Sequence, residues 1–172
     1  MEEPCPLLSE SGLRGSDILI FITVGTHNQP FDRLLKAVDE LSLDSAIWQT
    51  GCSSFIPKTG KYQNFYTQAE FEHLCASADI IISHGGIGSL MTPLMMGKPV
   101  IAVPRLSRYH EHTNDHQLQI VEELGRMGKL IPLLDINKLK GTLKRAYEFS
   151  PNANPMSEGR INKIVSDYLM NL

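Results

Sequence analysis

Short apolar runs rich in β-branched residues alternate along this chain with longer segments whose apolar positions recur at helical spacing. Ile18 to Val24 (ILIFITV) is such a run and stops at Gly25, the pattern of a strand buried on both faces. Phe31 to Leu41 follows with Leu34, Leu35, Val38 and Leu41 on one helical face. SAIWQTG is a second strand, SSFIPKTGKYQ is loop-like, and NFYTQ is a candidate for a further short strand. From Ala69 to Ser77 the period is helical, with Phe71, Leu74 and Cys75 together. DIIIS (Asp79 to Ser83) is another buried strand, followed at once by HGGIGS and an apolar helix body from Leu90 to Met96. KPVIAVP is a strand ended by Pro104, and a polar loop leads to a helix from Asp115 to Met127 that Gly125 and Gly128 close. KLIPLL is a last strand, and helices over about 135–148 and 156–170 finish the chain.

Strands alternating with helices imply parallel βαβ units, hence an α/β fold with a doubly wound parallel sheet. In such sheets ligands sit beyond the carboxyl ends of the strands. That rule selects four loops: Gly25–Gln29, Gln49–Ser54, His84–Ser89 and Arg105–Gln117.

Composition narrows the classes. At 172 residues one domain is expected, over 17–172 after a flexible leader at 1–16. A net charge of −3 without clustered Lys and Arg argues against a nucleic-acid partner but not against a nucleotide, which main-chain amides can hold. Cys5, Cys52 and Cys75 are odd in number and lack CxxC spacing, so a reducing cytoplasm is the expectation. Neither a signal peptide nor a run of roughly 20 apolar residues is present, so any membrane work would go through something else.

Two segments carry candidate chemistry. In DIIISHGGIGSL the glycines let successive N–H groups turn toward a ligand, and the following helix offers the positive end of its dipole. That makes either a diphosphate cradle or simply a tight turn. The P-loop pattern fails, because Lys98 is followed by Pro99, and the Gly85, Gly86, Gly88 spacing misses G-x-G-x-x-G. In VPRLSRYHEHTNDHQLQIVEEL, Asn114 or Asp115 can cap a helix whose first turn holds His116 and Gln117. Such side chains suit sugar hydroxyls, although a capped surface helix reads the same way. No metal is expected, since HEHTNDH places Asn114 where HExxH needs its second His. Ser89 lacks a nucleophile elbow, His73 is a lone helix residue, and Met91, Met95 and Met96 read as core filling.

Three stretches, FITVGTHNQPFDRLL, SHGGIGSLMTPLMMGKPVIAVPR and EHTNDHQLQIVEEL, together resemble the carboxyl-terminal, donor-binding domain of family 28 glycosyltransferases. That group includes the catalytic subunit of the second GlcNAc transferase of N-glycan synthesis and bacterial exopolysaccharide (PssE-like) subunits; EHTNDHQ is nearer the latter. The resemblance implies a Rossmann-like half of a GT-B enzyme, moving a hexose from a UDP-sugar to a lipid-linked acceptor. A membrane-associated, acceptor-binding glycosyltransferase subunit would hold it at the cytoplasmic membrane face, and no cofactor beyond the UDP-sugar donor is implied.

The same resemblance places the diphosphate on Gly85, Gly86, Gly88 and Ser89 with His84 nearby, and sets Gly25 and Thr26 beside the reacting centre. Asn114, Asp115 and Gln117 would face the sugar, while Thr92 stands where many members carry a ribose-binding Glu. A general base must take the acceptor's proton, and the candidates are His27, Glu111 and His112 or else a residue of the partner subunit. Two other classes stay open: a non-catalytic enhancer of another transferase, and a free-standing nucleotide-binding regulator.

Overall fold

The apolar run after Ile18 becomes β1 (Ile20–Thr23), which hydrogen-bonds in parallel with β2 (Ala46–Gln49) on one side and β4 (Ile80–His84) on the other. The computed structural model describes residues 18–152, so the leader at 1–16, Cys5 and the helix expected at 156–170 lie outside the described residues. Beyond β2 lies β3 (Lys61–Gln63); beyond β4 lie β5 (Val100–Val103) and β6 (Ile131–Pro132). The order β3-β2-β1-β4-β5-β6 is all parallel, the doubly wound arrangement the alternation predicts.

Successive residues of each inner strand are buried against different layers, which is why these strands are apolar throughout. Ile20, Ile22 and Val24 join Leu34, Leu35 and Val38 of α1 (Asp32–Asp39) and Leu139, Leu143 and Ala146 of α5 (Leu139–Ala146). Phe21, Ile81, Val100 and Ala102 join Leu74 and Cys75 of α2 (Gln68–Ser77), Leu90 of α3 (Ile87–Met95), and Ile120, Val121 and Leu124 of α4 (His116–Arg126). Each of the buried Val, Leu, Ile and Phe side chains among these contributes about 1.5–3 kcal/mol. The chain leaves β1 toward the α1 layer but leaves β4 toward the α3 layer. The sheet therefore splits its connections between these two neighbouring strands, and a crevice opens at their carboxyl ends.

Three boundaries differ from the sequence expectation. NFYTQ is not a strand: the strand is Lys61–Gln63, a polar edge strand with one neighbour and no apolar signature. Thr67 instead starts α2 through a capping box, its hydroxyl accepting from the Glu70 N–H at 3.3 Å and its own N–H donating to the Glu70 carboxylate at 2.8 Å. Helix α3 begins at Ile87, so Gly88 and Ser89 lie in its first turn rather than in a loop. Gly125 sits inside α4, where a Cβ would come within 2.8 Å of Pro132, and Gly128 (φ +67°) follows the helix.

Candidate functional site

The last residue of β4 organises the crevice. His84 is almost wholly buried, and its Nδ1 accepts from the Gly86 N–H at 3.1 Å. A neutral ring accepting at Nδ1 carries its proton on Nε2, which lies 2.9 Å from the Ser89 hydroxyl and therefore donates to it. The Ser89 proton is then free to point elsewhere. Burial, followed by the neighbouring Arg105 guanidinium, pushes His84 down to about 3, so the ring is neutral near pH 7.

The glycines around it serve different purposes. A Cβ on Gly25 (φ +73°) would lie 2.2 Å from His84 Nε2, and one on Gly86 would lie 2.1 Å from His84 Cε1. The imidazole is thus sandwiched between two glycines. Gly85 is empty for another reason, since its Cβ would meet Val121 at 2.8 Å where α4 packs. Gly88 alone of the four faces open space, with nothing within 4 Å of a Cβ. It and Ile87 are the first residues of α3, whose N–H groups have no carbonyl to bond within the helix.

The loops after β1 and β5 meet over a buried cation. Arg105, 1 % exposed, donates through Nη1 to the carbonyls of Gln29 (2.8 Å), Pro30 (3.3 Å) and Glu111 (3.1 Å), and through Nη2 to that of Val24 (2.8 Å). Its guanidinium lies 4.8 Å from the centre of the Phe31 ring. Glu111 is buried and grips Arg33 with both oxygens at 2.8 Å, and it also accepts from the Leu106 N–H at 3.1 Å. The carboxylate named as a candidate base is therefore a brace between α1 and the β5 loop. His27 and His112 lie against each other, ring centres 4.7 Å apart and planes inclined by 34°.

A cleft of about 650 Å³ fills the crevice, within the range of small-ligand sites. Of the residues singled out in the sequence, Thr26, His27, His84, Gly86, Gly88, Ser89, His112 and Gln117 line it. Gln117 is buried, its carbonyl oxygen accepting from the Arg105 N–H at 3.1 Å. Gly25, Gly85, Thr92, Glu111, Asn114 and Asp115 are not in the lining. Asn114 Oδ1 accepts from the His116 N–H at 3.2 Å, and Asp115 Oδ1 accepts from the Ser107 N–H at 2.8 Å, so both shape the turn before α4. The Ser107 hydrogen bonds hold the Asp115 carboxyl below the ordinary range.

Sequence reasoning missed Asn28, Gln49, Tyr66, Gln68, Phe71 and Ile87 in the lining. Asn28, and Gln49 as the last residue of β2, fall within stretches that the strand-end rule selects. Tyr66, Gln68 and Phe71 flank the start of α2, and the Thr67-x-x-Glu70 capping box was the signal that could have placed them there. Among the described residues no group of three or more His, Cys, Asp or Glu side chains is arranged to hold a metal ion.

The model of the glycosyltransferase family 28 C-terminal domain matches residues 19–170. The human UDP-N-acetylglucosamine transferase subunit ALG13 is 29 % identical over 126 residues, which are 64 % of this chain and 10 % of that protein. The chain thus spans about a tenth of the length of the curated relatives it matches. The solution structure of ALG13 superposes with a TM-score of 0.57 at 19 % identity, over 87 % of this chain and 94 % of that one. The calicheamicin glycosyltransferase CalG4 gives 0.59 at 16 % identity, over 96 % of this chain and 43 % of that one. These structures share the fold.

Proposed function

The chain belongs to glycosyltransferase family 28, whose C-terminal domain it carries, and from that premise we propose that it is the donor-binding half of a two-part hexosyltransferase. It takes the hexose of a UDP-sugar and passes it to a lipid-linked acceptor in polysaccharide biosynthesis. A membrane-associated subunit binds that acceptor and brings the chain to the cytoplasmic membrane face. Among the described residues no helix is long and apolar enough to cross a membrane.

The observation that carries the reading is the open first turn of α3 at the sheet's switch point. The N–H groups of Ile87 and Gly88 and the Ser89 hydroxyl, which is oriented by neutral His84, suit the oxygens of a diphosphate. Such donors are fixed before the reaction, so they stabilise charge building on the leaving diphosphate with little reorganisation. The names of the relatives support a UDP-sugar and a subunit architecture. EHTNDHQ supports the polysaccharide setting.

Calorimetric titration of the full chain with UDP tests this, first alone and then with the acceptor-binding subunit. We expect saturable binding, and Ser89→Ala should weaken it about tenfold, the value of one hydrogen bond to a charged group. Absence of binding in both formats overturns the proposal.

A further inference from the structure

Three histidines reach this cleft, and all three use one local device. His27 Nδ1 accepts from the Gln29 N–H at 3.2 Å, His84 Nδ1 from the Gly86 N–H at 3.1 Å, and His112 Nδ1 from the Asn114 N–H at 3.3 Å. Each ring is thus pinned by the amide two residues further along the chain. An imidazole that accepts at Nδ1 holds its neutral-state proton on Nε2. In His84 that proton goes to Ser89. His27 and His112, from two different loops, lie beside each other on the cleft wall as a tilted pair.

We propose that His27 and His112 form a paired N–H donor site for a phosphoryl oxygen of the donor's diphosphate, and that neither is the general base. The inference rests on the donor-site reading above. A base at Nε2 needs a lone pair there, which would move the proton to Nδ1 and set it against a main-chain N–H that now donates to it. A donor needs no change at all. The surroundings keep both rings neutral. Burial, then His112 and Arg105, hold His27 below the ordinary imidazole range. Burial, then Arg105, does the same to His112; the Asn114 hydrogen bonds oppose this, and His116 adds a small push downward. His84, also neutral, and the Asp115 carboxylate also act on the pair electrostatically. The nearby Arg105 cation favours an anion in this corner, while its own N–H groups are turned onto main-chain carbonyls.

The test uses four variants of the full chain: His27→Leu, His27→Gln, His112→Leu and His112→Gln. Glutamine keeps an N–H donor near the Nε2 position but cannot act as a base. Each is titrated with UDP and, separately, with uridine. Each leucine variant should bind UDP about tenfold more weakly, and each glutamine variant should stay within about threefold of wild type. Uridine affinity should be equal across the set, which also reports that every variant is folded. Leucine variants that bind UDP like wild type overturn the pair as a donor site, as do glutamine variants that fail as badly as leucine. A wild-type chain that binds no UDP removes the donor-site reading itself, and this inference with it.

Discussion

The loops after β4 and β5 open side by side on one edge of the sheet, yet different physics holds each. The β4 loop is shaped by local bonds and absent side chains: His84 bonds within its own loop to Gly86 and Ser89, and Gly85 and Gly86, like Gly25 across the crevice, are empty because a ring or a helix occupies the space. The β5 loop is shaped by long side chains reaching across the molecule, Arg105 to the β1 loop and Arg33 of α1 to Glu111. A loop offering main-chain N–H groups has to be thinned, whereas a loop offering side chains has to be braced. Substitutions that swap these demands should therefore fail in different ways.

The largest effect is expected at the brace. Arg105→Met removes four hydrogen bonds to carbonyls and leaves those carbonyls without their donor beneath the cleft. The expected loss is about 3–5 kcal/mol in urea or thermal unfolding, the range for breaking a buried charged network. Arg105→Lys should recover little, because one ammonium cannot reproduce the planar fork that spans Val24 to Glu111. A lysine variant as stable as wild type would show that charge, not geometry, braces this loop.

Next comes the thinned loop. Gly86→Ala places a methyl 2.1 Å from His84 Cε1, and overpacking of this kind costs about 1–3 kcal/mol. Adding His84→Ala should give back part of that loss, so the two changes should be non-additive in a double-mutant cycle. Additive losses would mean that the ring is not what keeps position 86 empty. Gly86 is consequently a poor probe of ligand binding, although it lines the cleft.

This contrast also explains what the sequence could reveal. Strands β1, β4 and β5 were legible because burial on both faces forces an unbroken apolar run. Lys61–Gln63 was not, since an edge strand exposed to water needs no such run. The glycine loop was legible because its bonds span two to five residues. Arg105 passed unnoticed because its partners Val24 and Gln29 lie 81 and 76 positions away. Asn114 and Asp115 illustrate a different limit. A polar residue before a helix can face a ligand or fold the turn, and only coordinates separate the two uses.

Acid should act on both loops through His84. Its folded-state value near 3 lies below the ordinary 6.5, so the unfolded chain binds a proton that the folded chain refuses. The contribution is fully present above about pH 6.5 and is lost as pH falls toward about 3, at up to about 1.4 kcal/mol per pH unit. Between about pH 6.5 and about pH 5, stability should thus fall by about 1–2 kcal/mol, and less steeply in His84→Gln. An identical slope in that variant would place the acid sensitivity elsewhere.

The smallest effect on stability, and the one that separates fold from site, belongs to Gly88. It lies in the first turn of α3 without a positive φ, and a methyl there touches nothing within 4 Å. Gly88→Ala should therefore stabilise the chain by about 0.4–1 kcal/mol, through reduced freedom of the unfolded state. The same methyl would project from the helix turn proposed to grip the diphosphate, so UDP affinity should drop while the melting temperature rises. Opposite signs from one methyl group would mean that position 88 is kept empty for a ligand, just as position 86 is kept empty for His84. A variant that is more stable and binds UDP unchanged would instead move the diphosphate away from the start of α3.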